Sequence, residues 1–162
     1  MNTGLNEITK LGKIENYNFS SNNKVYTGEC SKLHGSAGEI FPPRQTRDSM
    51  NLFVPDMCRS IPFDYEKDVE VHGATGYRFT AGRRAVDNGT VFPENLCYAY
   101  GSSEFVPSGV MNISACRYGS PVFMSYPHFY LADEFYLNEI EGLAPNKDKH
   151  ESFFTLDPVS SN

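Results

Sequence analysis

The chain has 162 residues, and its 14 Lys and Arg stand against 20 Asp and Glu for a formal net charge of −6. That balance argues against nucleic acid as a partner, because phosphate binding needs cations gathered on one face. Hydrophobic residues make up 40 % and aromatics 14 %, with 12 Phe, 10 Tyr and no Trp, while 13 Gly and 10 Pro punctuate the chain too often for long helices.

In chain order, the stretch to about Asn23 is polar, with a short apolar alternation at Leu11, Ile14 and Tyr17 that predicts an extended segment or edge strand. Residues 35–46 carry Gly, Ser, Pro and Arg, and Phe41-Pro42-Pro43 is held extended by the fixed proline angles. Strands are expected over 50–54, 60–65, 68–72 and 76–80, with turns at Gly73 and Gly82, and again over 106–113, 121–125 and 153–156. One helix is expected over 131–141, where Leu131, Phe135 and Ile140 would share a face. The result is one mainly β (α+β) unit with short helices, long irregular connections and no internal repeat.

Cysteines stand at 30, 58, 97 and 116, with no Cys-x-x-Cys pair of the kind that binds zinc or works as a redox dithiol, so disulfides are expected; the spacing leaves all three pairings open. Three sequons, at Asn18, Asn88 and Asn112, are N-glycan acceptors in a chain that passes through the secretory pathway. The first residues, Met1 to Glu7, have neither the basic nor the apolar region of a signal peptide. Nor does any apolar run approach the roughly 18 residues that cross a bilayer as a helix. These features together predict a piece of a longer, membrane-anchored protein.

Several constellations bear the residue types of a chemical site, each beside a plainer reading. Ser125, His128 and Asp133 supply nucleophile, base and orienting acid, but no Gly-x-Ser-x-Gly elbow frames any serine. Cys30 and His34 have the i, i+4 spacing of two metal ligands on a helix, yet Gly35 and Gly38 follow at once, and a disulfide-bonded Cys30 is preferred. Gly73-Ala74-Thr75-Gly76 lacks the Lys-Ser/Thr ending of a phosphate loop and is read as a hairpin turn. Glu66, Asp68 and Glu70 alternate along a strand and are expected on one solvated face. Arg44, Arg47, Arg59, Arg83 and Arg84 could make a modest cationic surface for anionic lipid or lipoprotein, but scattered arginines are more often solvated or paired with acids, and that reading is preferred. No catalytic group, cofactor or metal is expected.

From about Gly28 to Pro158 a series of blocks resembles the class B scavenger receptor family, in that family's order, with wording most similar to its invertebrate members. The blocks are Phe41-Pro42-Pro43, then Asp56-Met57-Cys58-Arg59-Ser60-Ile61, Gly76-Tyr77-Arg78-Phe79 and Pro93-Glu94-Asn95-Leu96-Cys97. After them come Gly109-Val110-Met111-Asn112-Ile113-Ser114-Ala115-Cys116, Gly119-Ser120-Pro121-Val122, Ser125-Tyr126-Pro127-His128-Phe129, Glu141-Gly142-Leu143-Ala144-Pro145-Asn146 and His150-Glu151. The resemblance implies that residues 1–162 are the middle-to-late portion of a glycosylated ectodomain built on an antiparallel β-barrel. In such a receptor an apolar tunnel takes fatty acids, sterols, phospholipids or lipoprotein lipid, and anchors outside this chain hold it at the plasma membrane or the lysosomal membrane. The resemblance also implies bridges Cys30–Cys97 and Cys58–Cys116. A further bridge of some relatives begins where Ala99 stands here, so it is expected to be absent. A truncated secreted binding protein, and a lysosomal trafficking or adhesion receptor, are the alternative readings.

Overall fold

The computed structural model describes residues 1–99 and 106–159. Its centre is a curled antiparallel sheet in the order β1-β2-β3-β6, a half-barrel formed by β1 (Met50–Val54), β2 (Arg59–Val71), β3 (Ala74–Ala81) and β6 (Ser152–Leu156). A two-stranded ribbon of β4 (Val110–Asn112) and β5 (Phe123–Ser125) forms a second sheet, not hydrogen-bonded to the first. The helices are all short: α1 (Arg83–Val86), α2 (Leu96–Ala99), α3 (Glu134–Glu139) and α4 (Lys147–His150). The mainly β, disulfide-stapled reading is borne out.

Period-two alternation makes one sheet face apolar. Leu52 faces Ile61, Met50 faces Phe63, Tyr65 faces Phe79 and Phe79 faces Phe154. Against these pack Phe41, Ala85, Val86, Met111, Ile113 and Tyr126, which close one core. Phe79, Ile113 and Val86 are almost wholly buried, and each such side chain contributes about 1.5–3 kcal/mol of burial. On the other sheet face Phe53 is buried under Tyr17, edge to face with ring centroids 5.1 Å apart.

The expected strands 60–65 and 68–72 are one 13-residue strand, because a bulge between Tyr65 and Lys67 absorbs the break in pattern without ending the pairing. The expected strand 106–113 shrinks to Val110–Asn112: Pro107 has no N–H to give a ladder, and Gly109 turns at φ +109 with its backbone against Ala132. The expected strand 121–125 shrinks likewise to Phe123–Ser125. The edge strand expected around 11–17 does not form. Gly12, at φ +76 with its backbone on the Ile40 carbonyl, breaks the extension, and only isolated bridges such as Lys13 to Ser36 remain. The helix expected over 131–141 is only α3, which starts where the Asp133 carboxylate accepts the Phe135 N–H at 2.9 Å. Leu131 lies outside it at φ 63 and packs on the core, while Phe135 and Ile140 stay exposed, so the three share no helix face.

Candidate functional site

The inner face of the half-barrel is an aromatic wall. Phe154 lies 5.6 Å from Phe79, 4.8 Å from Phe63 and 5.9 Å from Phe41, ring centroid to centroid, and Tyr65 meets Phe79 and Tyr77 edge to face. Beside the wall an open cleft of about 470 Å³ runs between the start of β1 and the segments around Ile14, Leu33 and Phe41. Phe41 and Met50 line the cleft and also pack against the apolar core, so the cleft borders the aromatic wall. Lys13 and His34 bring two basic side chains to the same lining. The lining is mixed, with Ile14, Leu33, Phe41, Pro42 and Met50 beside Ser36, Gln45, Ser49 and Asn51, a combination that can meet both the body and the head of an amphiphile.

The far end of β1 and β2 is stapled. Cys30 is bonded to Cys97 and Cys58 to Cys116, each pair with Cα atoms 5.8 Å apart. Next to Cys58, Arg59 is 3 % exposed and stacks over Tyr98 at 3.8 Å, with its guanidinium donating to the Ala85 carbonyl at 3.4 Å. Burial pushes this guanidinium below its ordinary value, while the tyrosines around it, Tyr98 first, favour the charge. Arg59 is thus an internal post and no part of a surface.

The five arginines do not form one patch. Arg47 makes a bidentate pair with Asp68 at 3.1 and 2.7 Å and lies over the Tyr77 ring at 4.5 Å; Arg84 pairs with Glu94 at 3.2 Å and Asp64 at 3.9 Å. Arg44 and Arg83 are exposed. Of the three carboxylates expected on one face, Asp68 and Glu70 stay together and Glu66 is separated from them. Asp68 stands on the Tyr65 and Tyr77 side, where Tyr65 donates to it at 2.8 Å, but the bulge turns Glu66 to the opposite face to meet Arg78 at 2.8 Å.

Ser125, His128 and Asp133 do not converge: Ser125 is exposed on β5, His128 stacks on His150 at 4.5 Å, and Asp133 caps α3. The disulfide occupies Cys30 and removes it as a metal ligand beside His34. Gly73 lies in a two-residue hairpin with His72, at φ 50 and +84, which explains the glycine without a phosphate. Among the described residues no cluster of three or more His, Cys, Asp or Glu could hold a metal ion, and no helix is long and apolar enough to cross a membrane.

The sequons differ in setting. Asn18 is exposed in a tight turn at φ 50. Asn88 is half-buried, with its amide donating to the Val106 carbonyl at 2.9 Å and its oxygen accepting from the Thr90 hydroxyl at 2.8 Å. Asn112 is half-buried in β4, and its oxygen accepts the Ser114 N–H at 3.0 Å.

Two features carried no sequence signal. One is the ion-pair group in which Arg78 and Lys147 bridge Glu66 and Glu151 at 2.7–3.7 Å, drawn from β2, β3 and the α4 segment. The other is Asp87. Burial alone would raise its carboxyl, but the N–H groups of Phe92, Gly89 and Val91 and the Ser108 hydroxyl outweigh that and hold it below the usual range.

A profile described as the CD36 family matches residues 1–161. The chain is 47 % identical over 159 residues to Protein peste of Drosophila melanogaster, covering 98 % of this chain and 28 % of that protein. It is 33 % identical over 160 residues to Scavenger receptor class B member 1 of Cricetulus griseus, covering 98 % of this chain and 31 % of that protein. It is 32 % identical over 160 residues to Lysosome membrane protein 2 of Mus musculus, covering 98 % of this chain and 33 % of that protein. The chain thus spans about a third of the length of the curated relatives it matches.

Proposed function

The chain belongs to the CD36 family, and from that premise we propose that residues 1–162 are the middle-to-late part of the ectodomain of a membrane-anchored scavenger receptor. Its task is to bind lipids, lipoproteins or the surface of dying cells or pathogens, and to pass apolar ligand along an internal wall. The observation that carries this reading is that the open cleft borders the aromatic face of the half-barrel at Phe41 and Met50. Transfer along such a surface needs no chemical step, since each buried methylene contributes about 0.8 kcal/mol. Fatty acids, sterols and phospholipids fit that chemistry, and the parent protein's anchors place the site on the extracellular side of the plasma membrane. Exposed Asn18 is the sequon best placed to carry glycan.

The test is binding of a fluorescent long-chain fatty acid to the natural protein that carries these residues, with Met50→Trp as the cleft-filling variant. The proposal expects binding that weakens by about tenfold or more in the variant, while its melting temperature stays near that of the natural protein. Absence of binding by the natural protein, or equal binding by a stably folded variant, overturns it. Similar identity to a relative named as a lysosomal membrane protein favours a second reading, a receptor of the lysosomal membrane. Surface biotinylation of intact cells separates the two locations.

A further inference from the structure

Two imidazoles join segments that are otherwise separate in the sequence. The His128 and His150 rings stack with centroids 4.5 Å apart and planes 12° apart. The Nδ1 of His128 accepts the Ala144 N–H at 3.3 Å, and the Nδ1 of His150 accepts the Asn146 N–H at 3.0 Å. Each ring therefore needs its Nδ1 lone pair, and each carries its proton on Nε2. The stack ties the turn after Tyr126 to the segment that enters α4, and α4 leads directly into β6, whose Phe154 belongs to the aromatic wall.

We propose that the His128–His150 stack is an acid-released latch on residues 143–151: neutral rings hold the segment down, and protonated rings let it go. The inference goes beyond ligand binding and does not depend on which lipid is bound. The protonation balance is direct. A proton taken up at Nδ1 converts an acceptor into a donor, so the Ala144 or Asn146 N–H loses its partner; a second proton places two cations face to face.

Of the three carboxylates nearest the stack, two are already engaged by cations, which leaves Asp148 alone to offset this. On α4 and just after it stand Lys147, Asp148, Lys149 and Glu151; from β2 and β3 come Glu66 and Arg78, and Tyr130 follows His128 in its turn. The carboxylates of Glu66 and Glu151 are already shared between Lys147 and Arg78, at 2.7 and 3.7 Å and at 2.8 and 3.1 Å, so neither is free to neutralise an imidazolium. Burial, then His128, then Lys149 all hold His150 below its ordinary value. A depressed basic group contributes stability that is present above the unfolded value, about 6.5, and is lost as pH falls through the folded one. The turn bearing His128 is also strained, since His128, Phe129 and Leu131 sit at φ 52, 52 and 63.

The experiment is amide hydrogen exchange on the natural protein at about pH 7.4 and about pH 5, corrected for the intrinsic rate, which brackets histidine titration. The latch predicts that amides of residues 143–151 lose protection by about tenfold or more on acidification, while those of β2 and β3 do not. The variant carrying His128→Asn and His150→Asn keeps an acceptor oxygen near each Nδ1 position and cannot titrate, so its protection becomes independent of pH over this range. Unchanged protection in the natural protein overturns the proposal. So does a loss in the Asn variant equal to that of the natural protein, which would assign the change to the carboxylates.

Discussion

At the scale of single residues, the most consequential side chains are polar ones held inside. Asp87 is buried and accepts three backbone N–H groups and one hydroxyl. Because its carboxyl is held low, its contribution is present above the unfolded value, about 3.9, and is lost as pH falls through the folded one. Asp87→Asn turns two acceptor oxygens into one and sets an amide against donors, at an expected cost of about 2 kcal/mol. Urea unfolding over a pH series checks both points: the natural protein weakens below about pH 4, and the variant shows a shallower slope there. Asp87 was not singled out in the sequence: three of its donors follow it closely in the chain, but the Ser108 hydroxyl comes from a distant segment that only the fold brings near. Arg59 was misplaced for a related reason. A guanidinium reads as surface, yet this one is buried over the Tyr98 ring.

At the scale of elements, β-branched and aromatic runs located β1, β3 and β6 closely, since these strands each present a clean apolar face. The bulge was invisible because Glu66, Asp68 and Glu70 alternate in the sequence whether or not the strand slips by one residue. The same blindness merged Leu131 into a helix that Asp133 starts two residues later. The hairpin between β2 and β3 offers a sharp test, since its two turn residues both require positive φ and His72 pays for that with a Cβ. Asn tolerates the left-handed region better, so His72→Asn is expected to stabilise by about 0.5 kcal/mol, whereas Gly73→Ala is expected to destabilise by about 1–2 kcal/mol. Thermal unfolding of the two variants in parallel reads opposite shifts.

At the scale of the whole molecule, the order of the family's blocks made the architecture legible, while the cleft and the ion-pair group, assembled from distant segments, were not. The bridges span sequence separations of 67 and 58, and their loops interlock. Loop-closure entropy puts each at roughly 4 kcal/mol, less for the second because the first already restricts the unfolded chain. Replacing Cys58 and Cys116 by Ser is therefore expected to lower stability by about 2–4 kcal/mol, measured by urea unfolding under non-reducing conditions.

Interlocking also sets a schedule for synthesis. Along the chain the order is Cys30, Cys58, Cys97, Cys116, so neither native bridge can close when the first two thiols emerge; their correct partners are still being translated. At roughly 5–20 residues per second, Cys30 and Cys58 then wait a few seconds before Cys97 emerges, each without its native partner. Any non-native bond made in that interval has to be undone by thiol–disulfide exchange before the two interlocked bridges can close.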